Sequence, residues 1–513
     1  MQSKDGRVDS VLVVGAGTAG LVSALMIRQM NPDLPITVLY SARIGHIMIG
    51  EGTFATTPAL LHDSMGLDRR AFYAAVKPTP KFGARFLWGK NGNFDYTFEA
   101  PLSTGGNEFH KLPLGYSFPP DSPFTGYCIS SAFMEAGKIP DAALQSMASV
   151  GRPPAAYHME NQLFVDFLSE TCSQRNISLV DAEVSNIETG ESGVKHVLTK
   201  DGRAFAADLF VDCSGFSGAL IHGALGEPYL SMRDSLFCDK AVVGGWTRTD
   251  EPLRPYTTAE TMNAGWCWQI EHRDVVNRGY VYCSAFIDDE TAEAEFRSKN
   301  PKVVETRTVP FETRRIRRSW VGNTVAIGNA NGFVEPLEAT NIQLICNYAL
   351  RLAIALSVSR RIVPSQVEAF NIYTERSWHS VRDFLAGHYK FNTLLDTPFW
   401  QHARDATPLH TAEAAVDYYR EAGPDPTGMR MMLAEHCLFG VDGWLAILLG
   451  CGVPYARNRA LPAEEAARMA FVRKVNANLA ERGSDPAVTQ IEAWAPQARQ
   501  PQNAAINSGM ASS

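Results

Sequence analysis

The chain has 513 residues, 45% of them hydrophobic and 20% charged, which describes a folded protein with length for a large core and excludes disorder as its main state. Its 47 Lys+Arg against 55 Asp+Glu leave a formal charge of −8, so no net positive field exists to release counterions, and no nucleic-acid partner is expected. Nine cysteines, an odd number with none in a C-x-x-C pair, give neither a disulfide framework nor a zinc site, which points to a reducing cytoplasmic compartment and no metal.

In chain order, a β-branched run Val11-Leu12-Val13-Val14 precedes Gly15-Ala16-Gly17-Thr18-Ala19-Gly20, a helical stretch over 21–30 and a second strand, Ile36-Thr37-Val38-Leu39-Tyr40. Strand, glycine turn, helix and strand form the context that gives G-x-G-x-x-G its meaning. Gly15 makes the tight turn, Gly17 lets the backbone approach a pyrophosphate, Gly20 permits close helix–strand packing, and Thr18 and Ala19 complete the cofactor loop. The acidic ribose ligand expected about twenty residues on is replaced by Tyr40 and Ser41, so adenosine contacts must come partly from elsewhere.

Two later segments repeat the strand-then-glycine pattern: Asp208-Leu209-Phe210-Val211-Asp212-Cys213-Ser214-Gly215-Phe216, and Val325-Ala326-Ile327-Gly328-Asn329-Ala330. The expected fold is α/β, a dinucleotide-binding doubly wound (Rossmann-like) domain assembled from discontinuous segments, with a β-rich insertion and a mainly helical C-terminal part. Residues 1–110 supply the first part of the cofactor domain, 111–225 its continuation with an insertion, and 316–360 its last part. Residues 226–315 carry the alternation Trp266, Trp268, Ile270 and form a β-rich, substrate-side segment. Helical spacing from 342 onward marks 361–495 as a helical, substrate-side region, and 496–513 reads as a disordered tail. No signal h-region precedes the first motif, and the most apolar later run, at 444–453, is too short for a membrane span, so no membrane partner is expected.

Taken together, the motifs resemble the flavin-dependent halogenases of the tryptophan-halogenase family over most of residues 9–360. Besides the glycine fingerprint, Ile49-Gly50-Glu51-Gly52-Thr53 is similar to the loop that straps over the flavin, and Lys81, in Lys81-Phe82-Gly83-Ala84-Arg85-Phe86, falls where the family keeps an essential lysine. Phe210–Phe216 looks like a further segment near the cofactor, numbered 210–216 here. Gly265-Trp266-Cys267-Trp268-Gln269-Ile270 matches the family's W-x-W-x-I signature, and Gly332-Phe333-Val334-Glu335-Pro336-Leu337-Glu338-Ala339-Thr340 resembles the segment with the active-site glutamate, Glu338. The resemblance implies FAD, delivered as FADH2 by a separate flavin reductase, chloride or bromide as co-substrate, and a small electron-rich aromatic substrate of indole, tryptophan or phenol type. It leaves a homodimer open.

Chemistry gives each residue type a reason. Reduced flavin and oxygen convert halide into hypohalous acid, a diffusible oxidant that has to be steered to the arene, so the site needs a halide pocket, a relay and a shield. A buried lysine suits the relay, because its amine can hydrogen-bond the oxidant or form a haloamine. Glu338 can polarise the oxidant or take the proton lost from the arene, with Glu335 as a rival for either role. Thr340 is a candidate cap of a following helix, and the helix N-terminus at Thr340 and Asn341 offers N–H groups to a halide. Trp266 and Trp268 either fill a core on a period-two strand or separate flavin from substrate, and both can hold together.

The chain departs from the family at two places. Glu-Ser-Thr-Gly becomes Glu338-Ala339-Thr340-Asn341, where asparagine tolerates left-handed backbone better than most residues, and the proline after W-x-W-x-I becomes Glu271-His272. The basic run Arg314-Arg315-Ile316-Arg317-Arg318 reads as a salt-bridged face. A single-component aromatic monooxygenase is the alternative enzyme, and a flavoprotein reduced to a binding module is the non-enzymatic one.

Overall fold

The computed structural model describes residues 6–45, 50–99, 124–141, 143–144, 153–456 and 460–487. Ile49 of the strap motif and the tail at 496–513 lie outside the described residues. A six-stranded sheet runs in the order Trp320–Val321, Thr324–Ala326, Leu209–Asp212, Val11–Val14, Ile36–Tyr40, Ser178–Asp181. All its pairings are parallel except the Trp320–Val321 hairpin. Strands from three widely separated stretches therefore build one doubly wound sheet, buried between helices and rich in Val, Leu and Ile as parallel sheets are.

The first strand ends at Gly15, whose φ of +112° is accessible only to glycine. A Cβ there would lie 2.2 Å from the carbonyl oxygen of Cys213, and one at Gly20 would lie 1.8 Å from that of Gly15. Gly17 caps the helix Thr18–Met30 without any side-chain cap, so the first N–H groups of that helix stay available to an anion. Gly328, also at positive φ, faces Ala19: a Cβ would sit 2.5 Å from the alanine methyl. The cradle is thus closed by backbone approaching backbone, and the third strand–glycine segment completes it.

A seven-stranded sheet follows the order Thr306–Pro310, Lys240–Thr247, Val275–Tyr282, Gly265–Glu271, Thr257–Met262, Gly83–Leu87, Phe94–Thr97. Its last two strands come from the N-terminal quarter of the chain, and the only parallel pairing joins Thr257–Met262 to Gly83–Leu87. A small third sheet puts Ala156–Met159 between Glu51–Gly52 and Thr79–Lys81. The bridge sheet meets the seven-stranded sheet where Gly52 faces Thr257.

Long helices dominate the C-terminal part, among them Thr340–Ser359, Pro364–Phe391, Gly440–Gly450 and Ala463–Glu481. By length and composition Thr340–Ser359 could cross a membrane, a longer apolar stretch than the run at 444–453. It instead packs against Thr18–Met30 and buries Leu344, Ile345, Leu352 and Leu356 in the protein core. All nine cysteines are free. The basic run is ion-paired: Arg317 and Arg318 hold buried Glu227, Arg315 holds Glu375 and Arg314 holds Glu312.

Gly15→Ala combines a forbidden φ with a collision against backbone, and is expected to destabilise the protein by roughly 2–4 kcal/mol in urea unfolding. Gly223→Ala, where an added Cβ meets nothing closer than 3.8 Å, is expected to be neutral or slightly stabilising. Equal effects of the two changes would contradict the close strand–turn packing.

Candidate active site

Lys81 ends its short strand with the side chain directed into the protein, and only 3% of its surface is exposed. Gly52, on the far strand of the bridge sheet, lacks a side chain where one would obstruct the amine. A Cβ at Gly52 would stand 3.3 Å from Lys81 Nζ, 3.3 Å from Ala339 Cβ and 3.6 Å from Thr257 Oγ1. The strap motif, the lysine and the glutamate loop therefore meet around one glycine. Burial lowers the Lys81 amine to about 8, and the opposing influence is the charge of Glu338. The ring of Phe98 lies 5.5 Å from Nζ. Desolvation also pushes the carboxyl of half-buried Glu51, on the far strand of the same sheet, up to about 7.

Glu338 is 5% exposed, and its Oε1 lies 2.7 Å from Nε2 of His388, on the helix Pro364–Phe391. The other ring nitrogen of His388 is 2.8 Å from the carbonyl oxygen of Phe384. A carbonyl only accepts, so Nδ1 carries a hydrogen, and the proton between Nε2 and Oε1 is one the pair shares. Buried Tyr96 also faces this carboxyl, and Glu338 adds to the rise that burial imposes on its hydroxyl. Glu335, the rival, is occupied elsewhere: Tyr389 donates to its Oε2 at 2.7 Å and the indole N–H of Trp266 at 3.3 Å. Adjacent residues of one helix, His388 and Tyr389, thus hold the two carboxyls of one loop.

Trp266 and Trp268 are buried on the same face of their strand, with ring centroids 6.0 Å apart. Trp268 covers Gly279 on the next strand, where a Cβ would meet the indole at 2.0 Å. Across the sheet it pairs with Ala259, which pairs in turn with Phe86, and the Phe86 ring packs 5.0 Å from His388. The tryptophans are core residues and neighbours of the glutamate loop at once.

Two sequence expectations about that loop need correcting. Thr340 is the first helical residue, and the cap position is Ala339, which makes no side-chain cap. The left-handed residue is Ala339, at φ 53°, while Asn341 is helical and needs no special backbone. The reversal of the chain after Glu338 has to occur before the helix begins, so the strain, about 1–2 kcal/mol for alanine, falls on residue 339. At the other departure, Glu271 forms a buried ion pair with Arg248 at 2.5 Å and accepts from Gln269 at 2.6 Å. Buried His272 follows, lowered to about 4 by burial and the Arg248 charge, and a Cβ at Gly50 would lie 2.1 Å from its Nε2. The replacement for proline therefore packs against the start of the strap segment.

Sequence reasoning missed His388, Tyr389 and His158. His158 lies fully buried between Gly52 and Thr79 in the bridge sheet, with Nε2 at 2.8 Å from Thr257 Oγ1. No local motif marks any of the three. Their spacing from their partners in sequence, 50 residues for His388 and Glu338, gives no pattern to read. Among the described residues no cluster of His, Cys, Asp and Glu could hold a metal ion.

The desolvated lysine has a consequence for stability. Its amine holds a proton less readily folded, at about 8, than at the ordinary 10.5, so the unfolded chain binds more protons between those values and stability rises with pH across that window. Relative to Lys81→Met, wild type is expected to gain about 3 kcal/mol of stability between pH 7 and pH 11 in urea unfolding. A difference between the two that is independent of pH would show that the amine is not desolvated.

The family model described as Tryptophan halogenase matches residues 10–466. Tryptophan 7-halogenase RebH of Lentzea aerocolonigenes is 30% identical over 81% of this chain and 82% of its own length. Tryptophan 6-halogenase ThaL of Streptomyces albogriseolus is 29% identical over 82% and 83%. Among solved structures, MibH, a lanthipeptide tryptophan 5-halogenase, superposes with a TM-score of 0.85 at 33% identity, covering 95% of this chain and 93% of that one. BrvH, a flavin-dependent halogenase from Brevundimonas sp. BAL3, gives 0.80 at 29% identity over 94% and 99%. Matched by the family model over residues 10–466 and by relatives across about four fifths of its length, the chain belongs to the tryptophan halogenase family of flavin-dependent enzymes.

Proposed function

We propose that the chain is a two-component, FAD-dependent halogenase that uses chloride or bromide to halogenate an indole-type arene, through Lys81 and Glu338. The observation that carries this reading is the convergence of Lys81 Nζ, the strap segment at Gly52 and the Glu338–Ala339 loop on one buried point. The residues present fit FAD: Gly15, Gly20 and Gly328 leave a backbone-walled cradle that any Cβ would invade, and the uncapped helix at Thr18 presents free N–H groups. Gly17 and Ala19 would lie against the pyrophosphate, and Glu51, within the strap, would lie beside the flavin. Bound as FADH2, the cofactor supplies with oxygen the oxidising equivalent that turns halide into hypohalous acid.

The remaining work falls to side chains. The N–H groups of Thr340 and Asn341, at the start of a 20-residue helix without a side-chain cap, suit a halide. Lys81, as ammonium, hydrogen-bonds the hypohalous oxygen and gives it a proton as the oxygen–halogen bond breaks toward the arene, so that water leaves. Glu338, as carboxylate, removes the proton from the halogenated ring carbon, and the aromatic electron pair returns to the ring. One proton has left Lys81 and one has reached Glu338, so transfer between these neighbours resets the site. Buried Trp266 and Trp268 separate the flavin from the arene and keep the oxidant from escaping. A reductase supplies the reduced flavin, and free tryptophan, free indoles and peptide-borne tryptophan are arms of the same test.

The test incubates these arenes with the protein, FAD, a flavin reductase, NADH, oxygen and either halide, and reads halogen isotope patterns by mass spectrometry. Lys81→Ala is expected to bind FAD and consume oxygen while losing product by 10²-fold or more, on the order of a missing general acid. Lys81→Arg is not expected to rescue, because guanidinium stays protonated and its planar fork cannot replace a compact amine. Glu338→Gln should lose roughly 10–100-fold. Hydroxylated product from NAD(P)H without a reductase would overturn the reading in favour of a monooxygenase.

A further inference from the structure

Glu335 has no task in that chemistry, yet it is 1% exposed and sits between the aromatic wall and the long helix. One oxygen, Oε2, accepts both the Tyr389 O–H at 2.7 Å and the Trp266 N–H at 3.3 Å. The other, Oε1, is buried and has no hydrogen-bond partner. Tyr389 is itself braced by Cys238, whose sulfur lies 3.3 Å from its hydroxyl. The titratable groups that face Glu335 from the surrounding elements are Tyr389, Cys238 and Cys283, and no cation is among them.

We propose that Glu335 is a positioning residue for halogenation: by accepting from Trp266 and Tyr389 on a single oxygen, it locks the aromatic wall to the helix that also holds Glu338. This rests on the reading of Trp266 and Trp268 as the barrier between flavin and arene. An ionised carboxylate with a bare buried oxygen and no counter-charge is costly, whereas a neutral acid accepts the same two hydrogen bonds on its carbonyl oxygen. Burial pushes the Glu335 carboxyl up to about 7, in the direction this argument requires. Without the lock the indole of Trp266 is free to turn, the wall opens, and oxidising equivalents leave as hydrogen peroxide, with FADH2 and oxygen giving FAD and H2O2.

The experiment measures halogenated arene and peroxide formed per FADH2 oxidised, with FAD affinity as a separate readout. Glu335→Leu, which removes the acceptor, is expected to lower product per flavin about tenfold and raise peroxide correspondingly, with FAD affinity unchanged. Glu335→Gln keeps a neutral carbonyl acceptor and is expected to stay within about twofold of wild type. Tyr389→Phe, which keeps the ring and removes one donor, should shift the product-to-peroxide ratio in the same direction as Glu335→Leu and provides the test if the leucine variant does not fold. An unchanged ratio in the folded leucine or phenylalanine variant overturns the inference, and so does a glutamine variant as impaired as the leucine one. A wild-type protein that halogenates nothing would instead overturn the functional reading, which keeps the two failures apart.

Discussion

Keeping the amine of Lys81 out of water is unfavourable on its own, and the bridge sheet is what enforces it. The strand Ala156–Met159 fixes Thr79–Lys81 on one side and Glu51–Gly52 on the other, and the lysine is 3% exposed. Glycine at position 52 leaves the space that the amine and the glutamate loop share. The nearby carboxyl of Glu338 offsets part of the lost solvation, and this makes the two groups interdependent. Neither is comfortable buried without the other.

The loop that carries Glu338 is constrained to the same end. It begins behind Phe333, turns through a left-handed alanine and runs into a helix that is buried against the cofactor domain. Its two carboxyls face different partners because His388 and Tyr389, being consecutive on a helix, project in directions about 100° apart. One partner presents Glu338 to Lys81, and the other ties Glu335 to the wall. The site consequently depends on a helix from the C-terminal third, although every residue assigned to chemistry lies before position 342.

What could be read in the sequence was whatever follows from local pattern. The glycine turn at 15–20, the alternating tryptophans and the discontinuous cofactor sheet all leave signatures of period or spacing, and each appears where that spacing places it. His388 leaves none, since a histidine in an apolar helix is usually a satisfied core residue, and its meaning comes from a carboxylate 50 residues away. Asparagine favours left-handed backbone, so residue type alone points to Asn341, whereas tertiary packing puts the left-handed turn at Ala339, where nothing in the residue type announces it. Glu271-His272 looked like the loss of a proline. Its role emerges only from Arg248 and Gly50, brought together by two different sheets.

The central claim is that Lys81 and Glu338 act as one proton-exchanging unit, and a double-mutant cycle on product formation tests it most directly. Rates of halogenated product are measured for wild type, Lys81→Ala, Glu338→Gln and the double variant under the same flavin supply. Groups that act as a unit are strongly non-additive, so the account predicts a double variant about as impaired as Lys81→Ala alone. Losses that multiply, with the double variant reduced by the product of the two single effects, would contradict it and assign the two residues to independent tasks.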